Sequence, residues 1–174
     1  VVSDPSMLTA LAQTAASRAI PCSIHLKIET GMGRLGLTQD ELVALIRSHK
    51  FPPSLRVEGL LTHLADADGF SSDATEEQIR RFQDALKIVQ NGGFHVSLIH
   101  VSNSCGAVRF PSAHFSLVRP GIMLYGYHTL PSTVETPDLR PVLSLKTRIA
   151  QLRTVQAGET VSYNRTFTAR RLTR

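Results

Sequence analysis

Lys27-Ile28-Glu29-Thr30-Gly31-Met32-Gly33-Arg34-Leu35-Gly36 is the stretch on which the reading of this chain turns. It follows Ser23-Ile24-His25-Leu26-Lys27-Ile28, where polar and apolar residues alternate. Alternation predicts a strand over 23–28. Three glycines within six residues then let the backbone approach a ligand closely, because no Cβ intervenes. Arg34 adds a planar, permanently charged fork to that loop. The same spacing also suits a tight turn with a solvated arginine, so the loop needs partners before it counts as a site.

Outward from this loop, strand, loop and helix recur. Upstream, Asp4-Pro5 predicts a helix start, Met7, Leu8, Leu11, Ala12 and Ala15 recur at helical spacing, and Pro21 closes the segment. Downstream, Thr38-Gln39-Asp40-Glu41 is a capping box, followed by an apolar side of Leu42, Val43, Leu45 and Ile46. After Pro52-Pro53, a second strand is expected over 55–61, ending in Thr62-His63-Leu64-Ala65-Asp66-Ala67-Asp68. Asp73 with Glu76 predicts a helix cap, Ile79, Phe82, Leu86 and Val89 its buried stripe, and Asn91-Gly92-Gly93 its end. A third strand over 96–101 ends in Ser102-Asn103-Ser104, and a fourth over 115–118 ends in Arg119-Pro120-Gly121-Ile122.

This is the rhythm of a parallel sheet covered by helices. An eight-stranded (β/α)8 TIM-type barrel needs about 250 residues. Four strands are about half of one. The expectation is an α/β chain carrying the second half of such a barrel over 1–128. A proline-marked linker, 129–141, follows. From 142 to 174 the pattern turns to period two (Leu143, Leu145, Thr147, Ile149) with Ala157-Gly158 as a turn, which predicts the start of a C-terminal β domain.

The composition, 42% hydrophobic and 19% charged over 174 residues, is that of a globular chain, and no apolar run is long enough to span a bilayer. The start, Val1-Val2-Ser3-Asp4, has neither an initiator Met nor a signal-peptide pattern, and it is read as a beginning partway through a longer protein. Cys22 and Cys105 fit no zinc or disulfide pattern, which points to a reducing compartment and to no metal site. The net charge of +5 includes Arg165, Arg170, Arg171 and Arg174 near the end. Without Trp, interleaved aromatics or a nucleic-acid motif, nucleic-acid binding is not the expectation. Positive charge gathered for a phosphate and a carboxylate explains part of the excess equally well.

In a parallel barrel, functional groups sit where strands finish. Here the four ends supply Lys27 with Arg34, His63 with Asp66 and Asp68, Asn103 with Ser104, and Arg119 with the Gly121 and Ile122 amides. Taken singly, Lys27 could be a solvated edge lysine, His63 structural, Asn103 a helix cap and Arg119 the partner of a helix acid. Together they favour a site. The Ser104 hydroxyl and the Gly121 and Ile122 amides suit a phosphate.

At this point the glycine loop, Thr62 to Asp68, His100-Val101-Ser102-Asn103-Ser104, Val118-Arg119-Pro120-Gly121-Ile122-Met123-Leu124-Tyr125-Gly126 and Val161-Ser162-Tyr163 resemble, in order, the alanine racemases. The resemblance implies a pyridoxal 5'-phosphate enzyme that racemises L-alanine to D-alanine for peptidoglycan by two-base α-proton transfer. It implies a cytoplasmic homodimer with shared active sites, with no nucleic-acid or membrane partner. Tyr163 matches the base toward the L-substrate, entering the partner subunit's site. Arg34 matches the arginine at the substrate carboxylate and the cofactor's phenolic oxygen, and Lys27 the often carbamylated lysine orienting it. His63 matches the histidine linking Tyr163 to Arg119, and Arg119 the arginine facing the pyridine nitrogen. Asn103, Ser104, Gly121 and Ile122 fall in the cofactor-binding motifs, the last three matching the phosphate cradle. A racemase of the same family for serine or for a broader set of amino acids is the neighbouring reading. A non-enzymatic pyridoxal-phosphate carrier is disfavoured by the Tyr163 match.

Three departures stand out. Glu29 replaces the usual Asp, and Asn164 the usual Gly after the tyrosine. No segment matches the strand bearing the lysine of the internal aldimine: Lys50, Lys87 and Lys146 sit in unsuitable contexts. The isolated chain is therefore expected to be inactive.

Overall fold

A computed structural model of the chain describes residues 1–48 and 51–174, so Lys50 lies outside the described residues. The elements run α1 (Ser6–Ser17), β1 (Cys22–Lys27), α2 (Gln39–Ser48), β2 (Leu55–Leu61), α3 (Asp73–Asn91), β3 (Leu98–His100) and α4 (Ser104–Arg109), then β4 (Thr160–Val161) and β5 (Phe167–Thr168). They divide into two compact units, Val1–Val142 and Leu143–Arg174.

In the first unit β1, β2 and β3 form a parallel sheet in that order. Single parallel bridges extend it on both sides, Val2 to Leu26 and Leu117 to His100. Leu26 and Leu60 in the sheet are fully buried with Leu8, Ala12 and Ala15 of α1, Leu42 and Ile46 of α2, and Ile79, Phe82 and Val89 of α3 in one core. Each helix therefore buries most of the stripe its spacing predicts, except that Met7 turns outward, Val43 is half-buried and outside the core, and Ala85 is buried more deeply than Leu86.

Local chemistry explains the helix starts. Asp4 Oδ1 accepts from Ser6 N–H at 2.7 Å, so Asp4 satisfies the first amide of α1 as a cap would, although Pro5, expected as the first helical residue, stands in the cap position just before it. The Thr38 amide donates to Glu41 Oε2 at 2.8 Å and the Glu41 amide to Thr38 Oγ1 at 3.2 Å, the reciprocal capping box. Asp73, by contrast, is the first residue of α3 and not its cap; its amide donates to Ser71 Oγ at 3.1 Å. α1 ends at Ser17, four residues before Pro21, because Ala19 takes a left-handed φ of 52°.

Two strand expectations are corrected. The third strand is shorter than 96–101, and 115–118 forms only the one bridge at Leu117. Phe115 has φ 46°, which breaks an extended run. The Ile99 amide goes to Ser116 Oγ at 2.6 Å, so a side chain replaces a ladder bond. In the second unit, 143–149 pairs with nothing among the described residues, and Leu145 is 99% exposed. The alternation there marks a strand-like surface, but a strand exists only against a partner. What does pair is the short antiparallel β4–β5, with Gly158 at φ 88° in the predicted turn.

One position links the sheet to the site. The β1–β2 register slips between Ile24 and His25, leaving Gly59 opposite His25. A Cβ on Gly59 would stand 2.6 Å from His25 Nδ1, so only glycine admits the imidazole there. Gly59→Ala should destabilise the chain by about 1–3 kcal/mol. Adding His25→Ala should recover part of that loss in urea denaturation; purely additive losses would show that the ring is not the obstacle.

Candidate functional site at the strand ends

The β2 and β3 ends and the loops after them enclose a pocket of about 270 Å³. His63, Asn103, Ser104, Arg119, Gly121 and Ile122 all line it, six residues brought together from the ends of β2 and β3 and from the segment after the Leu117 bridge. Asp68, Cys105 and Thr129 also line it. The sequence reading placed Asp68 near this end and gave no role to the other two.

Arg119 is anchored across the strand ends. Its Nη2 donates to the carbonyls of Thr62 at 2.7 Å and Val101 at 3.1 Å, and its Nη1 donates to His100 Nδ1 at 2.7 Å. It pairs with no helix acid, which closes that alternative. Because guanidinium only donates, His100 Nδ1 must be the acceptor. The proton of neutral His100 then sits on Nε2 and is donated to His25 Nδ1, 2.8 Å away. Burial, then the charge of Arg119 and then His25, hold His100 down to about 4. Sequence reasoning quoted both histidines and assigned neither. The available signal was a histidine flanked by apolar residues inside a strand: His25 between Ile24 and Leu26, His100 between Ile99 and Val101.

His63 is pushed below its ordinary value by burial, then by the charges of Arg119, Arg34 and Lys27. The charges of the two glycine-loop cations thus act on His63, which lines the pocket. Lys27 is buried at the end of β1, and Arg34 is exposed. Among the described residues neither side chain makes a hydrogen bond or ion pair, although both backbones do; ion pairs lie instead along α3, between Glu77, Arg80, Arg81, Asp84 and Lys87. Lys27, Arg34 and Arg119 thus bear on His63 with no carboxylate in ion-pair contact with any of them among the described residues, Asp68 being the one acid in the pocket lining, and this excess of positive charge suits an anionic ligand.

The glycine loop is shaped from within. Burial works to raise the Glu29 carboxyl, but the amides of Gly33, Gly31, Arg34 and Met32 together outweigh it and hold the group below the usual range. The Gly31 amide donates to Glu29 Oε1 at 2.5 Å. A carboxylate gathering loop amides fixes the run that carries Arg34.

Of the three groups expected to cradle a phosphate, two keep a proton free to donate. The Ser104 hydroxyl accepts from Met123 N–H at 3.3 Å and keeps its own proton to donate. The Gly121 amide is engaged with the Arg119 carbonyl at 2.9 Å, while the Ile122 amide has no partner among the described residues. A Cβ on Gly121 would meet nothing within 4 Å, so there is open space beside it. Asn103 is occupied twice: its Oδ1 caps α4 through Gly106 N–H at 2.9 Å, and its Nδ2 donates to the Leu64 carbonyl at 3.3 Å.

Within the second unit, Tyr163 opens a short 3₁₀ turn, Tyr163–Arg165, and is 91% exposed. Ser162, Asn164 and Arg165 all have left-handed φ, 67°, 56° and 53°. Asn is among the non-glycine residues that tolerate this region best, which accounts for Asn164 where the resemblance expects Gly.

A parallel β/α sheet whose strand ends collect fixed cations and free donors defines a β/α-barrel type of ligand site. The alanine racemase N-terminal domain model matches residues 1–129, and the alanine racemase C-terminal domain model matches 142–174. Over 157 residues the chain is 41% identical to the alanine racemase of Syntrophobacter fumaroxidans, covering 90% of this chain and 42% of that protein. It matches the structure of the Streptomyces coelicolor A3(2) alanine racemase with a TM-score of 0.89 at 32% identity, covering 99% of this chain and 46% of that one. The Bartonella henselae alanine racemase, solved with covalently bound pyridoxal phosphate, matches with a TM-score of 0.78 at 26% identity, covering 96% and 45%. The chain belongs to the alanine racemase family, as part of its barrel followed by the start of its C-terminal β domain. It spans less than half the length of these relatives.

The lowered histidines carry a sign. Their folded-state affinity for protons is below the unfolded value of about 6.5, so the unfolded chain takes up more protons as pH falls beneath that. Stability should be complete above about pH 6.5 and decline toward pH 4. Urea midpoints at pH 7, 6 and 5 test this, and His100→Gln should flatten the decline; an unaltered slope would remove His100 from the account.

Proposed function

We propose that the whole protein racemises L-alanine and D-alanine with pyridoxal 5'-phosphate, by proton transfer at the two faces of the α-carbon. Family membership and the unneutralised Lys27, Arg34 and Arg119 around His63 support this; the charge arrangement is the observation that carries it. The residues fit the cofactor. The Ser104 hydroxyl and Ile122 amide would hold its phosphate beside the open space at Gly121, and Arg119 would face its ring nitrogen. When bound, pyridoxal phosphate supplies the electron sink that acidifies the substrate's α-proton. Arg34 would hold the substrate carboxylate, with Lys27 orienting it. Tyr163 would move the proton at its phenolic oxygen, and a cationic setting would favour the phenolate. Arg119, a donor that keeps its proton, would leave the ring nitrogen unprotonated and so restrain transamination.

The protein would act as a homodimer in the cytoplasm, each Tyr163 serving the other subunit's site, and would supply D-alanine for peptidoglycan. Support for the compartment is the pair of free cysteines, Cys22 and Cys105. No described helix is long and apolar enough to cross a membrane. The 174 residues alone would not turn over. Lys27 would be committed to orienting Arg34, Lys87 pairs with Asp84 along α3, and Lys146 lies in the second unit.

Full-length protein loaded with pyridoxal phosphate should racemise L-alanine well above L-serine and larger amino acids; a preference for serine or a flat profile would favour a broader racemase. The isolated chain should show no α-proton exchange above background, and measurable exchange would overturn that part. Arg119→Glu should raise transamination relative to racemisation, and an unchanged ratio would refute the role given to Arg119.

A further inference from the structure

We infer that Gln78, on α3, is the positioning residue that locks the loop bearing Arg34 to the loop bearing His63. The inference rests on the reading of those loops as walls of one ligand site. Gln78 lies on the buried face of α3, one turn before Phe82, and is 4% exposed. An apolar side chain is the ordinary choice there, because an amide out of water is costly unless fully bonded. This one is bonded at both ends. Its Oε1 accepts from Ala65 N–H at 2.8 Å, and its Nε2 donates to Thr30 Oγ1 and to the His63 carbonyl, both at 3.1 Å. The amide has one orientation, since Ala65 N–H can only donate and the His63 carbonyl can only accept.

The hydroxyls that follow are equally determined. Thr62 Oγ1 donates to the Ile28 carbonyl at 2.8 Å. Its 2.8 Å contact with Thr30 Oγ1 is therefore donated by Thr30, whose oxygen receives the Gln78 proton. The chain runs one way, from Gln78 through Thr30 and Thr62 to Ile28, and all three side chains are buried. It fastens the end of β1, the first residues of the glycine loop and the end of β2 to one helix. The loop also runs directly over the Gln78 stem: at Gly31, φ 139°, a Cβ would stand 3.3 Å from Gln78 Cγ. Thr62, midway along, gives its carbonyl to Arg119 at 2.7 Å. Arg34 on one side, and His63 with Arg119 on the other, thereby keep a common reference through a residue that need not touch the ligand.

The test uses the full-length, cofactor-loaded protein and the variants Gln78→Met, Thr30→Val and both together. Loss of the lock should raise amide exchange in 30–36 and 62–67 together, by on the order of tenfold, while 98–104 is unchanged. The KM for alanine should rise with Arg34 loosened, kcat should fall by on the order of tenfold, and the double variant should be no worse than Gln78→Met. Thr30→Val keeps Gln78 in the core, so it decides the matter if Gln78→Met does not fold. Exchange that rises only within α3, or in one loop without the other, or additive losses would overturn the inference. If the wild type does not racemise alanine, the proposed function fails, and the exchange pattern still decides the role of Gln78.

Discussion

The arrangement depends on how one buried cation is held. Arg119 is satisfied by two strand-end carbonyls and by a neutral imidazole, with no carboxylate among its partners. An acid in the place of His100 would make a stronger pair and would cancel the charge. The histidine satisfies the hydrogen bond and leaves the charge in place. The pocket therefore keeps a positive field, which adds to burial in weakening the hold of His63 on a proton.

The same principle recurs in the glycine loop. Gly31 and Gly33 take left-handed φ, and their amides turn inward on Glu29. The loop is thus built around a carboxylate that belongs to the scaffold, while Arg34 remains outside that pairing. Below it, the threonine pair and Gln78 carry the connection to α3 through hydrogen bonds that each have one possible direction. Polar groups at the strand ends are satisfied locally by backbone and neutral side chains, and the permanent cations are left for a ligand.

Unit two follows a different economy. Its short β4–β5 pair and the left-handed residues around Tyr163 hold an aromatic side chain out in solvent. Extended residues such as Leu145 show how much apolar surface this unit leaves open by itself.

Much of the first unit was legible in the chain because its signals are local. A helical stripe repeats within four residues, and the caps at Asp4 and Thr38 act over two or three. The ends of β1, β2 and β3 could be read as the places where chemistry collects. The tertiary structure alone decided that Ser116 would replace a fourth strand, that His100 rather than an acid would meet Arg119, and that a helix glutamine would join two loops. The physical reason is distance along the chain. His25 reaches His100 across 75 positions and Gln78 reaches Thr30 across 48, so these bonds follow from strand register and helix placement, which no window of neighbouring residues contains.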